Sequence, residues 1–491
     1  MAIAVITLAG AAPTLCAFAS DWGAVAASAI DAFTGLVFAQ IRIAQTQIEW
    51  IVLWLAIPMV LLTVYFGFIN VRGFHLAWQV VRGRFRDDTA PGEVNQFQAL
   101  STALSGTVGL GNIAGVAIAI STGGPGAALW MAVIGLCAMS LKFAEVSLAV
   151  KYRLIDPDGS VTGGPMIYLQ RGLAARGWPR LGLYLSVAYV VFALPSLLQI
   201  AQVNQAYSQI SAVTGLNAPW GFGGAFALGT AIVIFGGIRA IAKVTSRLVP
   251  LMAAVYLLSA VFILATHLTE IPAALALILS EAFNPSSAAI GSAAAVFVIG
   301  MRRAVYSCEA GIGSATIAHA AAQTREPISE GLAALLEPFI DTVVICSATA
   351  LVIVVTGVYQ RENLTDIQMT SAAFNSVIGG FDIVLAIAVL LFAFSTVVSW
   401  AYYMSKVWRV AFGASLKSRR LFQFIYCCAL IPGGVLSVSQ VFDIMDAIFF
   451  LMALPNVVGL MFLAPEIKAD LLDYIRRVRS GEIQPTAAQR R

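Results

Sequence analysis

The chain has 491 residues, 59% of them hydrophobic and only 11% charged, with a net charge of +4. An average soluble domain is about 25% charged, and a mean hydropathy of +0.87 leaves too little polar surface to solvate a core of this length. Soluble enzyme, nucleic-acid binder and disordered scaffold are excluded, and the composition reads as an all-α integral membrane protein.

In chain order, residues 1–49 form a signal-like and surface segment. Met1 to Ala19 is apolar and ends in Ala17-Phe18-Ala19 before Ser20-Asp21, as a cleaved secretory signal does, yet no Lys or Arg opens it, so cleavage and retention both stay open. Asp21 to Trp50 is amphipathic and too polar to span, which predicts a segment on the outer, periplasmic membrane surface. A first span, span 0, is expected over 50–71. Ten more follow as spans 1 to 10, at about 96–120, 126–149, 182–211, 222–238, 245–267, 296–321, 330–357, 379–405, 421–437 and 442–463. Residues 268–295, broken by Pro272, Pro285 and Gly291, read as an outer loop with re-entrant or surface helices, and 464–491 as a cytoplasmic tail.

The basic residues orient these eleven spans. With the start of span 0 outside, Arg42 and Arg361 fall outside and Arg302 and Arg303 fall within span 6; the rest of the 29 Lys and Arg collect inside. That asymmetry is the positive-inside pattern of a multi-pass protein of the plasma (inner) membrane, with its N-terminal segment outside and its C-terminus cytoplasmic. The six cysteines lack metal-ligand spacing and the three histidines are scattered, so no metal or haem centre is expected.

Two spans carry clustered glycine. Span 1 contains Ser105-Gly106-Thr107-Val108-Gly109-Leu110-Gly111-Asn112, and span 6 contains Ser307-Cys308-Glu309-Ala310-Gly311-Ile312-Gly313-Ser314. Both read S-x-x-[small]-G-[LI]-G-[NS], in spans running in opposite directions, which marks an inverted repeat of two five-span units, 96–267 and 296–463. Glycine at mid-membrane permits unwinding, and unwound backbone at that depth persists only where it lines a cavity or is buried in protein. Its free N–H groups suit a carboxylate and its carbonyls suit a cation. Close helix packing is the other use of such glycines; the pairing of the two motifs favours a binding site.

The runs Phe97-Gln98-Ala99-Leu100-Ser101-Thr102, Gly109-Leu110-Gly111-Asn112-Ile113-Ala114-Gly115, Gly123-Gly124-Pro125-Gly126, Lys142-Phe143-Ala144-Glu145, Gly163-Gly164-Pro165-Met166, Glu309-Ala310-Gly311-Ile312-Gly313-Ser314 and Ala453-Leu454-Pro455-Asn456 resemble the alanine/glycine:cation symporters. The resemblance extends from about Trp54 to Pro465 and implies the LeuT-type fold of the amino acid–polyamine–organocation superfamily: a 5+5 inverted repeat with spans 1 and 6 broken, plus one extra N-terminal span. It also implies Na⁺- or H⁺-coupled uptake of a small neutral amino acid.

On this basis Thr107, Gly109, Leu110 and Gly111 are assigned to the substrate carboxylate through backbone N–H groups, with Gly311 at the second break. Asn112 serves either as a polar orienter of substrate or as a helix cap. Ser395 and Thr396 in span 8 are implied to face the Ser105 and Val108 carbonyls around Na⁺, although such hydroxyls also bond back to their own helix. Trp400, one turn beyond Thr396, and Tyr306 are implied pocket walls. Of Gln202 and Asn204 only one can face the site, and Gln202 is assigned as the substrate contact.

Membrane-embedded charges call for a reason. Glu309, Arg302 and Asp341 are gating or coupling candidates, with Arg302 and Arg303 forming an outer gate or pairing with Glu309. Lys142 and Glu145 are expected to form a partly buried structural ion pair. Three departures from the family's pattern, Leu198-Gln199, Cys308 and Met404-Ser405, leave room for a substrate other than alanine or glycine.

The function expected is secondary active, Na⁺-coupled symport of a small neutral amino acid, alanine or glycine, by alternating access, with no enzymatic activity and no cofactor beyond Na⁺. The alternative is H⁺-coupled transport of another amino acid, such as glutamine or serine, through Glu309 or Asp341; a channel or sensor is the rival from another class. The sequence specifies no oligomeric state.

Overall fold

A computed structural model describes residues 32–43, 46–284, 292–361, 364, 366–377, 379–435 and 438–485; the signal-like segment lies outside the described residues. The described residues are mostly helical. Among the described residues, six helices, 127–151, 179–214, 237–266, 327–355, 381–412 and 444–480, are each long and apolar enough to cross a bilayer, and a bent pair passes the same test together. Trp50–Tyr65, Pro219–Ile234 and Ile271–Phe283 are shorter apolar helices.

The amphipathic surface segment expected before Trp50 is different in the structure. Residues 32–37 are helical, and β1 (Gln40–Ile43) pairs antiparallel with β2 (Thr46–Glu49), Gln40 opposite Glu49. The physical reason is local patterning: Gln40-Ile41-Arg42-Ile43 alternates polar with apolar, and Ile48, the apolar residue of Thr46-Gln47-Ile48-Glu49, stands opposite Ile41, which suits strands rather than a helix. Phe38 packs edge-on against Phe450, centroids 5.7 Å apart, so this segment joins the protein core.

The helices that build the site are α1 (Trp50–Tyr65), α2 (Gln96–Thr107), α3 (Ala114–Gly123), α4 (Ala127–Lys151), α5 (Pro179–Ala193), α6 (Ile200–Thr214), α7 (Pro219–Ile234) and α8 (Gly237–Thr266). After α9 (Ile271–Phe283) come α10 (Ala293–Cys308), α11 (Thr316–His319), α12 (Pro327–Ala334), a π-helical stretch (Phe339–Cys346) and α13 (Ser347–Val355). Then follow α14 (Phe381–Phe412), α15 (Leu416–Leu430) and α16 (Val438–Ser480). The last runs as one helix through Pro455 and Pro465.

Two packed groups meet at the centre. α4 packs against α10, α12, α1 and the π-helical stretch, while α14 packs against α6, α8 and α2. The long stretch of α4 from Ala138 to Val150 is buried, charges included, so α4 is a core helix within the protein rather than a lipid-facing one. Its fit depends on small residues: a side chain at Gly300 of α10 would lie 2.6 Å from the Ala127 carbonyl oxygen.

Candidate functional site

The first break follows α2, whose start is fixed by a reciprocal cap between Asn95 and Gln98. After Thr107 the backbone leaves the helix at Val108, forms a 3₁₀ turn over Leu110–Asn112 and resumes as α3 at an angle of 62°. The second break follows α10. Glu309, Gly311 and Gly313 take φ of 52°, 88° and 81°, left-handed geometry that two of the three accept because they lack a Cβ.

The breaks expose backbone groups, as expected, but fewer of them face outward. The Val108 N–H donates to the Leu104 carbonyl at 2.7 Å, and the Gly109 N–H donates to Asn112 Oδ1 at 2.8 Å. Thr107 Oγ1 bonds back to the Ala103 carbonyl at 3.3 Å. Among the described residues, the Leu110 and Gly111 N–H groups have no partner. Asn112 acts as a cap and cross-link: its Nδ2 donates to Ser307 Oγ at 3.0 Å and to Asp341 Oδ1 at 2.7 Å. Asp341 also accepts from Ser307 Oγ at 2.6 Å. Asp341 therefore ties the two breaks together from the π-helical stretch.

Across from Gly109 stand Thr396 and Gln202. A Cβ on Gly109 would lie 2.8 Å from Thr396 Oγ1 and 3.7 Å from Gln202 Oε1, so glycine is required there for close approach. Gln202 Oε1 is buried without a hydrogen-bond partner among the described residues. Asn204 turns the other way and donates to the Gly433 carbonyl at 3.0 Å.

The oxygen cluster assigned to a cation is partly assembled. Thr396 Oγ1 donates across the helix interface to the Ser105 carbonyl at 3.0 Å, and Ser105 Oγ donates to the Ser395 carbonyl at 2.8 Å. Ser395 Oγ instead bonds back to the Phe392 carbonyl at 3.0 Å within α14. The Val108 carbonyl accepts no hydrogen bond among the described residues. Neutral hydroxyl and carbonyl oxygens are hard donors that suit an alkali cation.

The second break is lined by aromatic rings. Trp400 stacks on Phe449 at 4.9 Å between centroids, near-parallel at 3°, and Tyr306 stacks on the same ring at 5.6 Å. A Cβ on Gly111 would lie 3.3 Å from Tyr306 Cδ1, so these rings adjoin both breaks. Trp400 Nε1 donates to Glu309 Oε1 at 3.1 Å, and Ser314 Oγ donates to the other carboxylate oxygen.

Two expected pairings are corrected. Arg302 and Arg303 do not meet Glu309. Arg302 Nε is 3.1 Å from Asp446 Oδ2, Arg303 bonds the same oxygen, and Arg302 also reaches Glu49 at 3.5 Å. The reason is direction along α10: the arginines point toward α16 and the β2 end, whereas Glu309 lies past the helix terminus in a left-handed turn. Lys142 does not pair with Glu145 by direct contact either. Its Nζ is 3.2 Å from Glu337 Oε1, both fully buried rather than partly, and donates to the Glu309 carbonyl at 3.3 Å. Glu145 accepts from Asn456 Nδ2 at 2.8 Å, which also donates to the Gly311 carbonyl at 2.8 Å.

Sequence reasoning missed Asp446, Phe449, His319 and Glu330. Asp446, His319 and Glu330 carried a signal, as ionisable side chains inside or at the start of apolar spans; partners so distant in sequence are assigned only by the fold.

A profile of the sodium:alanine symporter family matches residues 34–489. The chain belongs to that family. Members are transporters, not enzymes, and the chain is a multi-pass membrane protein. The Methanococcus maripaludis sodium/alanine symporter AgcS is 38% identical over 414 residues, covering 82% of this chain and 89% of the relative. The Bacillus subtilis probable sodium/glutamine symporter GlnT is 33% identical over 400 residues, covering 79% and 80%. Among solved structures, that of MhsT in complex with L-phenylalanine superposes with a TM-score of 0.52 at 15% identity, covering 78% of this chain and 99% of that one; at this identity the likeness speaks for the LeuT-like fold alone.

Proposed function

We propose that this symporter couples Na⁺ entry to uptake of a small neutral amino acid, alanine or glycine, by alternating access at the two breaks. The observation that carries the reading is the contact of Thr396 Oγ1 with the Ser105 carbonyl, beside the glycine at 109 and the unpartnered Gln202 Oε1. In this reading Na⁺ lies among Ser105, Val108, Ser395 and Thr396, and draws the broken α2–α3 pair against α14. The substrate carboxylate takes the Leu110 and Gly111 N–H groups, its ammonium faces Gln202, and Thr107 and Gly311 frame the cavity.

The stack of Trp400, Phe449 and Tyr306 favours alanine or glycine over glutamine, because three rings in contact leave little width for a longer side chain. The wider architecture we infer is eleven spans in the inner membrane, two inverted five-span units over 96–267 and 296–463, the N-terminal segment outside and the tail cytoplasmic. The matching glycine motifs at the two breaks, Gly109-Leu110-Gly111 and Gly311-Ile312-Gly313, support it.

Uptake of labelled alanine and glycine into proteoliposomes under separate Na⁺ and H⁺ gradients tests the proposal. Accumulation driven by the Na⁺ gradient alone is expected. Uptake indifferent to Na⁺ overturns the cation assignment, and failure of both amino acids to be taken up or to compete overturns the substrate assignment.

A further inference from the structure

His319, the last residue of α11, stands between two carboxylates, and none of the three side chains has any solvent exposure. Its Nδ1 lies 2.6 Å from Glu330 Oε1, and its Nε2 lies 3.4 Å from Glu337 Oε2. A neutral imidazole has one N–H and one bare lone pair. With both glutamates ionised, a neutral ring must therefore hold a bare lone pair beside a carboxylate oxygen in a buried site, and both Nε2 and the Glu337 oxygens lack a hydrogen-bond partner among the described residues. One additional proton, on the second ring nitrogen or on a glutamate, removes that clash whichever atom bears it.

The surrounding charges do not supply the compensation. Lys142 is shared between Glu337 and the Glu309 carbonyl. Arg153, at the end of α4, spends its guanidinium on the carbonyls of Ala320, Ala322 and Thr324 just beyond His319. Glu145 bonds Asn456 and Glu309 bonds Trp400 and Ser314, with no cation in direct contact with either carboxylate. Asp341, one turn beyond Glu337, has its own donors in Ser307, Asn112 and Thr342. Tyr168 bonds Asn456 behind Glu145. Glu330 Oε2 is buried with no hydrogen-bond partner among the described residues, which leaves His319 as the group that Glu330 depends on.

We propose that Glu330, His319 and Glu337 form a proton-binding site, separate from the cation cluster at Ser105 and Thr396, whose proton fastens the inner half of the second broken helix to the elements around it. His319 comes from α11, Glu330 from α12, Glu337 from the turn after α12, and Lys142 from α4, so the chain of contacts runs from the proton to the Glu309 carbonyl at the break. Release passes the proton to water on the inner side and leaves a lone pair against a carboxylate, which loosens α11 from α12. A bound proton thus favours inner closure, and higher internal pH favours release of substrate inward. This consequence rests on the transporter reading; the proton count does not.

Two measurements on the full chain in bilayers test it. With His75→Gln and His267→Gln removing the other two of the three histidines, nitrogen NMR reads the His319 ring directly. Expected well above about pH 6.5, where a free imidazole loses its proton, is a doubly protonated ring or a protonated carboxyl whose infrared band Glu330→Gln abolishes. A ring with one bare nitrogen and no protonated carboxyl overturns the proposal, whatever the substrate is. In right-side-out vesicles, initial alanine uptake is expected to rise at least about threefold as internal pH goes from about 6 to about 8. Glu330→Gln supplies an amide donor to Nδ1 and frees the ring's own proton for Glu337, so this dependence should vanish. A flat wild-type profile, or an unchanged one in Glu330→Gln, overturns the coupling to transport. If Glu330→Gln fails to fold, His319→Gln replaces it in the uptake arm, and the NMR arm on the unaltered triad decides the proton count.

Discussion

Trp400 Nε1 donates to Glu309 Oε1 at 3.1 Å, joining α14 to the second helix break through one buried hydrogen bond. Trp400 is held by the protein itself, so its ring is a fixed wall rather than a mobile lid. Glu309, with φ of 52° and its carboxylate taken up by Trp400 and Ser314, shapes the break before any substrate arrives.

Trp400→Phe keeps the ring stack on Phe449 but leaves a buried carboxylate oxygen of Glu309 without its donor. Hydrogen bonds to charged groups contribute about 1.5–3 kcal/mol, so alanine uptake efficiency should fall roughly ten- to a hundredfold, read as kcat/KM in proteoliposomes. A fall below twofold would show that the bond is dispensable.

Thr396→Val removes the hydroxyl that reaches Ser105. Half-maximal Na⁺ concentration for uptake should rise roughly ten- to a hundredfold, again from a loss of about 1.5–3 kcal/mol, while Thr396→Ser should restore it. Ser395→Ala should shift it less, because that hydroxyl is spent on the Phe392 carbonyl. The three Na⁺ titrations measured side by side rank the ligands.

Gly109→Ala should abolish transport with the protein still folded, since its Cβ would lie 2.8 Å from Thr396 Oγ1 at the centre of the site. Gly311→Ala should destabilise as well. Its φ of 88° is a strained conformation for alanine, costing about 1–3 kcal/mol, and its Cβ would meet Leu55 at 2.7 Å. Thermal unfolding in detergent separates the two outcomes.

Asp446→Ala leaves the buried Arg303 without its carboxylate, and breaking such a pair costs about 3–5 kcal/mol. Glu49→Gln weakens the 3.5 Å contact with Arg302 and should cost under about 1 kcal/mol. Comparing the melting temperatures of the two variants checks which acid holds Arg302 and Arg303.

The membrane class and the two breaks were legible locally, because hydropathy and glycine clustering act within one segment of chain. Hydrogen-bond capacity has the same local character: an asparagine at 112 suits a cap or a contact, and its Oδ1 does cap Gly109. Partner choice is different. Lys142 and Glu145 are neighbours on one helix face, yet Lys142 meets Glu337 and Glu145 meets Asn456. A buried charge takes whichever group the packing of another helix brings within reach.

The sequence by itself determined that this protein is a membrane-embedded helical chain with two glycine breaks, since burial of backbone and side chains in lipid depends on composition along the chain. Only the tertiary structure decided that Thr396 reaches Ser105, that Asp446 takes Arg302 and Arg303 and that His319 sits between two glutamates. Those contacts join residues far apart in sequence, and their partners are set by how the helices cross.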